Sequence, residues 1–331
     1  MMKVTILGSG AFGLALAQLW QQDKAQEVWV WTPFTEEYSQ ITTHHCVPAL
    51  LPDIMLSHDL HITMDLVEAL ASCDLLVVAV PSQVVRSTLK QVQTINPKLP
   101  TIIVSKGIEI HTGYCLHQVY QDVGMQGAVG YLAGPTFAID VVQNVPLGFT
   151  LATTDEFLVE QVQTLFAKTN SSIEVTSDLM GVAYCSTIKN MLAILTGAIH
   201  TRFVNNSTDM YYFTKLYQEA CCLLLSLGAE AATMTSFAGL GDMLLTCHSA
   251  TSRNYHYGSL LVTDRNKARK FAKEMTVEGL EAFTALQALL IKQKLTSPVI
   301  SFLKGLLDNS ISIDEIDHYI GVTDGSLFRT D

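Results

Sequence analysis

Two lysines and one aspartate are the side chains of this sequence best placed to move a proton. Lys106 follows the branched run Thr101–Val104 and precedes Gly107, a residue that lets the chain turn sharply. Open sheets gather their sites at the carboxyl ends of strands. Lys106 is therefore either a site lysine or a solvated loop cation. Lys189, followed by Asn190, lies in the otherwise apolar stretch AYCSTIKNMLAILTGA at 183–198. A lysine in such a helix either carries its ammonium out to water or points into a functional cleft. Asp242 and Thr246 stand four apart after the segment FAGLG at 237–241. On a helix they share a face, where Asp242 could orient an ammonium and Thr246 a substrate hydroxyl. The plainer reading has Asp242 capping the helix that follows. Ser252-Arg253-Asn254 offers planar, multiple donors suited to a phosphate or carboxylate, or simply an exposed loop arginine.

A second constellation binds rather than reacts. Gly8, Gly10 and Gly13 form a GxGxxG turn with Ser9, Ala11 and Phe12 between them. A branched run at 3–7 precedes it and a helical pattern follows, the context in which the motif cradles a pyrophosphate. Gly8 permits the tight turn, Gly10 the close approach of backbone to phosphate, and Gly13 the packing of helix on strand. The helix starting near Ala11 offers free N–H groups and a positive dipole end. These features predict a nicotinamide cofactor, NAD or NADP. The usual acidic partner of the adenosine ribose is not at the end of the second strand. Thr32 and Pro33 stand there, with Glu36 and Glu37 slightly late and no arginine in their place. Pro81, closing the buried run 74–81, either lines the cofactor cleft or merely stops the strand.

The elements that must position these residues alternate strand and helix in the first half. Strands are expected at 3–7, 28–31, 74–81, 101–104, 130–132 and 172–175, with helices at 14–22, 66–71, 84–93 and 156–167. That alternation predicts an α/β Rossmann-type domain with a parallel-rich sheet. The stretch 135–148 reads as turns. From about residue 180 the helical patterns 182–199, 214–227, 266–273, 280–294 and 298–307 dominate, predicting an all-α C-terminal domain. The domains are placed at 1–179, binding the dinucleotide, and 180–331, binding the substrate.

Composition excludes several other functions. The chain has 331 residues, 49% hydrophobic and 15% charged, with a net charge of −11. That much apolar material builds a core, and so acidic a balance argues against nucleic-acid binding. The seven cysteines form no CxxC pair and read as reduced thiols. The ten histidines match no zinc spacing, so no metal is expected. The apolar runs 223–227 and 286–291 are too short to span a bilayer. No membrane insertion is expected, and the cytoplasm is the expected compartment.

Taken jointly, the motifs GSGAFGLALA (8–17), AVPS (79–82), SKGIE (105–109), GPTFA (134–138), IKN (188–190), AGLGDMLLTC (238–247), SRN (252–254) and VEG (277–279) give the chain a resemblance, in order and spacing, to the bacterial NAD(P)-dependent glycerol-3-phosphate dehydrogenase family. The resemblance implies a C-terminal domain like that of 6-phosphogluconate dehydrogenase. It implies reversible reduction of dihydroxyacetone phosphate, a small phosphorylated substrate, to sn-glycerol 3-phosphate for phospholipid synthesis, by a homodimer. By position it makes Lys189 the general acid–base group, with Lys106, Asp242 and Thr246 beside it. Asn190, Ser252, Arg253, Asn254, Gly134 and Thr136 join Lys106 as substrate ligands. Phe12, Phe137, Ala138, Arg253 and Glu278 join the glycine turn, Pro81 and Lys106 on the cofactor. The chain departs from the family at Cys185-Ser186-Thr187-Ile188, where paired small residues are usual, and over 203–216, where Lys215-Leu216 replaces arginine and glycine. Those departures keep two other readings open: a reductase of another small phosphorylated or acidic ketone, or a dinucleotide-binding sensor without activity.

Overall fold

The computed structural model describes residues 2–321. They form two compact units, 2–109 with 114–182, and 110–113 with 183–321.

The first unit is built on one eight-stranded sheet. Its strands are β1 (Met2–Leu7), β2 (Gln26–Trp31), β3 (His61–Thr63), β4 (Leu75–Val78), β5 (Thr101–Ile103), β6 (Val129–Ala133), β7 (Leu147–Ala152) and β8 (Ser171–Thr176). The spatial order is β3-β2-β1-β4-β5-β6-β7-β8. Every pair is parallel except β6 with β7. Ile6 of β1 sits between Val30 of β2 and Val77 of β4, all fully buried. Strands covered on both faces read as continuous apolar runs, and β4 is the clearest case. Leu14, Leu16 and Trp20 of the helix Ala11–Gln21 close over this core, each burial stabilising by about 1.5–3 kcal/mol. The chain reverses its direction of travel across the sheet between β1 and β4, which places the glycine turn at the switch point where open sheets bind ligands.

The structure adds elements that the pattern of residues left unmarked. The helix Ala138–Val142 and the first two residues of β7 fall in the stretch expected to be turns, and the rest of β7 falls where no element was expected. Gly148, inside β7, weakens the strand signal there. The helix Thr35–His44 buries only Ile41, so it shows no apolar stripe. The helix Leu116–Asp122 is likewise short, and β3 has only three residues.

The second unit carries no β-strand among the described residues. Its long helix, Leu179–Phe203, is followed by Asn206–Ser226, Ala231–Met234, Asp242–His248, Arg253–Thr263, Arg265–Glu274, Glu278–Gln293 and Pro298–Asp308. Side-chain oxygens of Asn205, Ser252, Asp264 and Ser297 accept from the first-turn N–H groups of the helices they precede. Leu179–Phe203 is long and apolar enough to cross a membrane, but its apolar window is wholly buried inside the protein. Buried on every face along that window, it is a core helix.

Candidate active site

The first unit gathers its predicted ligands at the carboxyl edge of its parallel strands. Gly8 leaves β1 with φ of +117°, and its N–H donates to the Trp31 carbonyl at 2.9 Å. A Cβ at Gly8 would lie 2.9 Å from the Ala79 carbonyl oxygen, and one at Gly13 3.3 Å from the Ala79 Cβ. The turn is thus pressed against the end of β4, with no room for side chains. At Gly10 a Cβ would meet nothing within 4 Å, so this exposed face of the turn is open. Gly10 also caps the helix Ala11–Gln21 without a side-chain hydrogen bond, and the first turn holds no acid. Bare helical N–H groups, a positive dipole end and open space beside glycine suit a dinucleotide pyrophosphate. The residues present fit that cofactor.

Around this turn stand the other first-unit candidates. Pro81, exposed, begins the short turn Ser82–Val84, and its carbonyl accepts from Val84 N–H at 3.0 Å. Lys106 follows β5 with its ammonium 5.6 Å from the centre of the Phe12 ring, within cation–π reach. The loop bearing it is held on both sides. Ser105 donates to the Val78 and Val80 carbonyls at 3.1 and 2.5 Å. Arg86 grips Glu109 in a bidentate pair at 2.7 and 2.9 Å. Gly107 between them has φ of +135°. Gly134 directly follows β6, and the Thr136 hydroxyl donates to its carbonyl at 3.3 Å. Phe137 caps the helix Ala138–Val142, which packs on the helix Ala11–Gln21.

Glu37 reaches into this cluster from the first turn of the helix Thr35–His44. The Ser9 hydroxyl donates to its carboxylate, and the Thr32 hydroxyl lies 3.3 Å from the same oxygen. Ser9 and Thr32 are themselves 2.8 Å apart. The sequence position of Glu37, late after β2, concealed this contact. The first helical turn curls back and brings the carboxylate to the glycine turn.

The second unit holds the remaining candidates in two sets. Lys189 and Asp242 form an ion pair whose side chains are 3% and 2% exposed. The lysine therefore does not extend to water. Asp242 opens the helix Asp242–His248, whose capping position is taken by Gly241. Its Oδ1 meets Lys189 and lies 3.4 Å from the Thr246 hydroxyl. That hydroxyl also donates to the Asp242 carbonyl at 2.7 Å. The Asp242 Oδ2 is buried with no hydrogen-bond partner. Nearby, Thr196 donates to the Cys247 carbonyl at 2.9 Å, tying the two helices together. Burial pushes the Cys247 thiol up to about 12, leaving it a packing residue.

The second set is a chain of amides. Asn190 donates to Glu278 at 3.1 Å, Asn254 donates to the Asn190 side-chain oxygen at 3.0 Å, and Gly279 N–H donates to Asn254 at 2.9 Å. Close helix crossings make these reaches possible. A Cβ at Gly258 would approach the Ile194 carbonyl carbon to 2.8 Å, and one at Gly279 the Asn190 carbonyl carbon to 3.0 Å. Ser252 caps the helix Arg253–Thr263, accepting from Tyr255 N–H at 3.3 Å. Arg253 is the first residue of that helix rather than a loop cation, 3.8 Å from Glu278, both side chains roughly half exposed. An arginine at a helix N-terminus with no acid in the first turn suits a phosphate.

The departures near Lys189 are absorbed by the core. Cys185 and Thr187 are fully buried, and the Thr187 hydroxyl is satisfied by the Ala183 carbonyl at 2.8 Å. Across 203–216, Phe203 stacks on Tyr212 at 5.5 Å and Leu216 is fully buried.

A doubly wound dinucleotide unit, joined in one chain to a helical unit with a buried lysine–carboxylate pair, defines a nicotinamide-dependent dehydrogenase. The chain belongs to the NAD-dependent glycerol-3-phosphate dehydrogenase family, whose N-terminal model matches residues 3–159 and whose C-terminal model matches 178–317. It is 31% identical over 315 residues to glycerol-3-phosphate dehydrogenase [NAD(P)+] of Parvibaculum lavamentivorans, covering 95% of this chain and 94% of that one. The protein of the same name from Brucella ovis is 29% identical over 95% of each chain. Among solved structures, glycerol-3-phosphate dehydrogenase from Coxiella burnetii shares the fold with a TM-score of 0.88 and 24% identity, covering 96% of this chain and 98% of that one.

Proposed function

We propose that the protein catalyses the reversible reduction of dihydroxyacetone phosphate to sn-glycerol 3-phosphate with NAD(P)H, providing the backbone for glycerophospholipid synthesis. The observation that carries this reading is the buried Lys189–Asp242 pair, in a chain whose other unit presents a fitted dinucleotide turn. In this reading residues 1–179 serve the cofactor and 180–331 the substrate.

Bound nicotinamide supplies the hydride that reduces the substrate's C2 carbonyl. The chain's own residues do the rest. Lys189 gives a proton to the carbonyl oxygen as charge builds there, and takes it back in the reverse direction. Asp242 holds the ammonium in place, and Thr246, against the same Asp242 oxygen, steadies that carboxylate. Lys106, beside Phe12, adds a second positive charge for the developing alkoxide. Arg253 and the N–H groups of its helix receive the phosphate, with Ser252, Asn254 and Asn190 holding that helix end in register. Gly134 and Thr136 shape the substrate side of the first unit. Phe12, Pro81, Phe137, Ala138 and Glu278 line the cofactor. The working form in this reading is a cytoplasmic homodimer, which sedimentation and cell fractionation test.

The experiment is loss of reduced-nicotinamide absorbance on adding dihydroxyacetone phosphate, compared with dihydroxyacetone plus inorganic phosphate. The reading expects turnover only with the phosphorylated ketone. Turnover of a non-phosphorylated ketone in preference, or none at all by protein that binds the cofactor, would refute it.

A further inference from the structure

Resting on the reading that the glycine turn holds a dinucleotide, we propose that Glu37 makes this enzyme select NADH over NADPH, taking the part of the ribose acceptor from an unusual position. A dinucleotide laid across such a turn brings its adenosine ribose to the end of β2, where a carboxylate accepts from the 2′-hydroxyl. Here β2 ends in Trp31 and is followed by Thr32 and Pro33, neither of which can accept as an anion. The carboxylate that is present comes from Glu37. Ser9, within the glycine turn, donates to it, and Thr32, directly after β2, lies against it. Those two contacts pin the side chain at the junction of turn and strand, although its own backbone sits on the following helix. The Thr32 hydroxyl also accepts from Phe34 N–H at 3.3 Å, which turns the chain into the helix Thr35–His44 and sets the angle at which Glu37 returns.

The segments that follow β2 and β3 offer a 2′-phosphate no cation. From Thr32 to Thr43 the chain has no lysine, arginine or histidine, while Glu36 adds a second negative charge in the same helical turn. On the neighbouring strand, β3 ends in Thr63 and runs into Met64 and Asp65. A 2′-phosphate carries about −1.5 to −2 charge near neutral pH. Placed against a fixed carboxylate with no cation in either segment, it is rejected by like-charge repulsion. A ribose 2′-hydroxyl donates to the same oxygen instead.

The test is direct cofactor binding, read by quenching of tryptophan fluorescence, with NADH and NADPH titrated into wild type, Glu37→Gln and Glu37→Ala. The substituted position is partly exposed, and a thermal melt verifies that each variant is folded. Wild type is expected to bind NADH roughly 100-fold more tightly than NADPH. In Glu37→Gln, NADPH should gain about tenfold or more in affinity while NADH loses only a few-fold; Glu37→Ala should weaken NADH further. Equal affinities in wild type, or a preference that persists unchanged in both variants, would overturn the assignment of Glu37 and leave the dinucleotide site standing. Binding of neither cofactor would overturn both.

Discussion

At the level of single residues the proposed site turns on Lys189 and Asp242, and their burial sets a testable energetic pattern. Removing one partner strands the other's charge in the core, at a cost of about 3–5 kcal/mol. Asp242→Leu alone should therefore destabilise the protein by that amount in urea denaturation. Adding Lys189→Met should restore most of the loss, because two well-packed apolar side chains replace a buried pair without penalty. Losses that simply add would show that the pair is not coupled. The residue types were readable in advance: Asp242 and Thr246 at helical spacing, and a lysine in an apolar helix. What the sequence left open was whether Lys189 reaches water, since its partner lies on a different helix and only the fold supplies the contact. The same holds for Glu37, whose lateness after β2 conceals that a single helical turn carries it back to Ser9.

Helix crossings govern whether the amide chain of the second unit can form. Gly258 lies against Ile194 and Gly279 against Asn190, so the backbones approach without side chains between them. Gly258→Val should force the helix Arg253–Thr263 away from the long helix, destabilising the protein by about 1–3 kcal/mol. It should also lengthen the Asn254–Asn190 contact and lower kcat/KM for the phosphorylated ketone. Thermal unfolding and steady-state kinetics check both effects, and an unchanged variant would contradict the packing argument. The glycine turn at 8–13 was legible because strand, motif and helix follow one another directly. The strand β7 and the helix Thr35–His44 were not, because one contains a glycine in a turn-rich stretch and the other buries a single residue. Neither leaves a periodic trace.

Whole-molecule behaviour combines an acidic chain with titratable groups that its cores keep uncharged. Burial pushes His117 down to about 4, and its backbone N–H donates to the Tyr131 hydroxyl at 2.8 Å. In the unfolded chain this histidine takes up a proton near its ordinary value of about 6.5. Between those values the unfolded state binds more protons than the folded one, so stability falls as the pH drops from about 6.5 toward 4. The loss attributable to His117 is of order 3 kcal/mol. His117→Gln should flatten that part of the stability–pH curve, and an unchanged slope would assign it to other groups. The division into an α/β portion and a helical portion was readable from the change of periodicity near residue 180. The antiparallel turn of the sheet at β7 was not, because strand direction is set by connections rather than composition. The central claim, that Lys189 carries the proton in ketone reduction, is tested most directly by single-turnover oxidation of bound NADH with saturating dihydroxyacetone phosphate. Lys189→Ala should slow this step by about 10²–10⁴-fold while NADH affinity stays unchanged; a rate within a few-fold of wild type would contradict it.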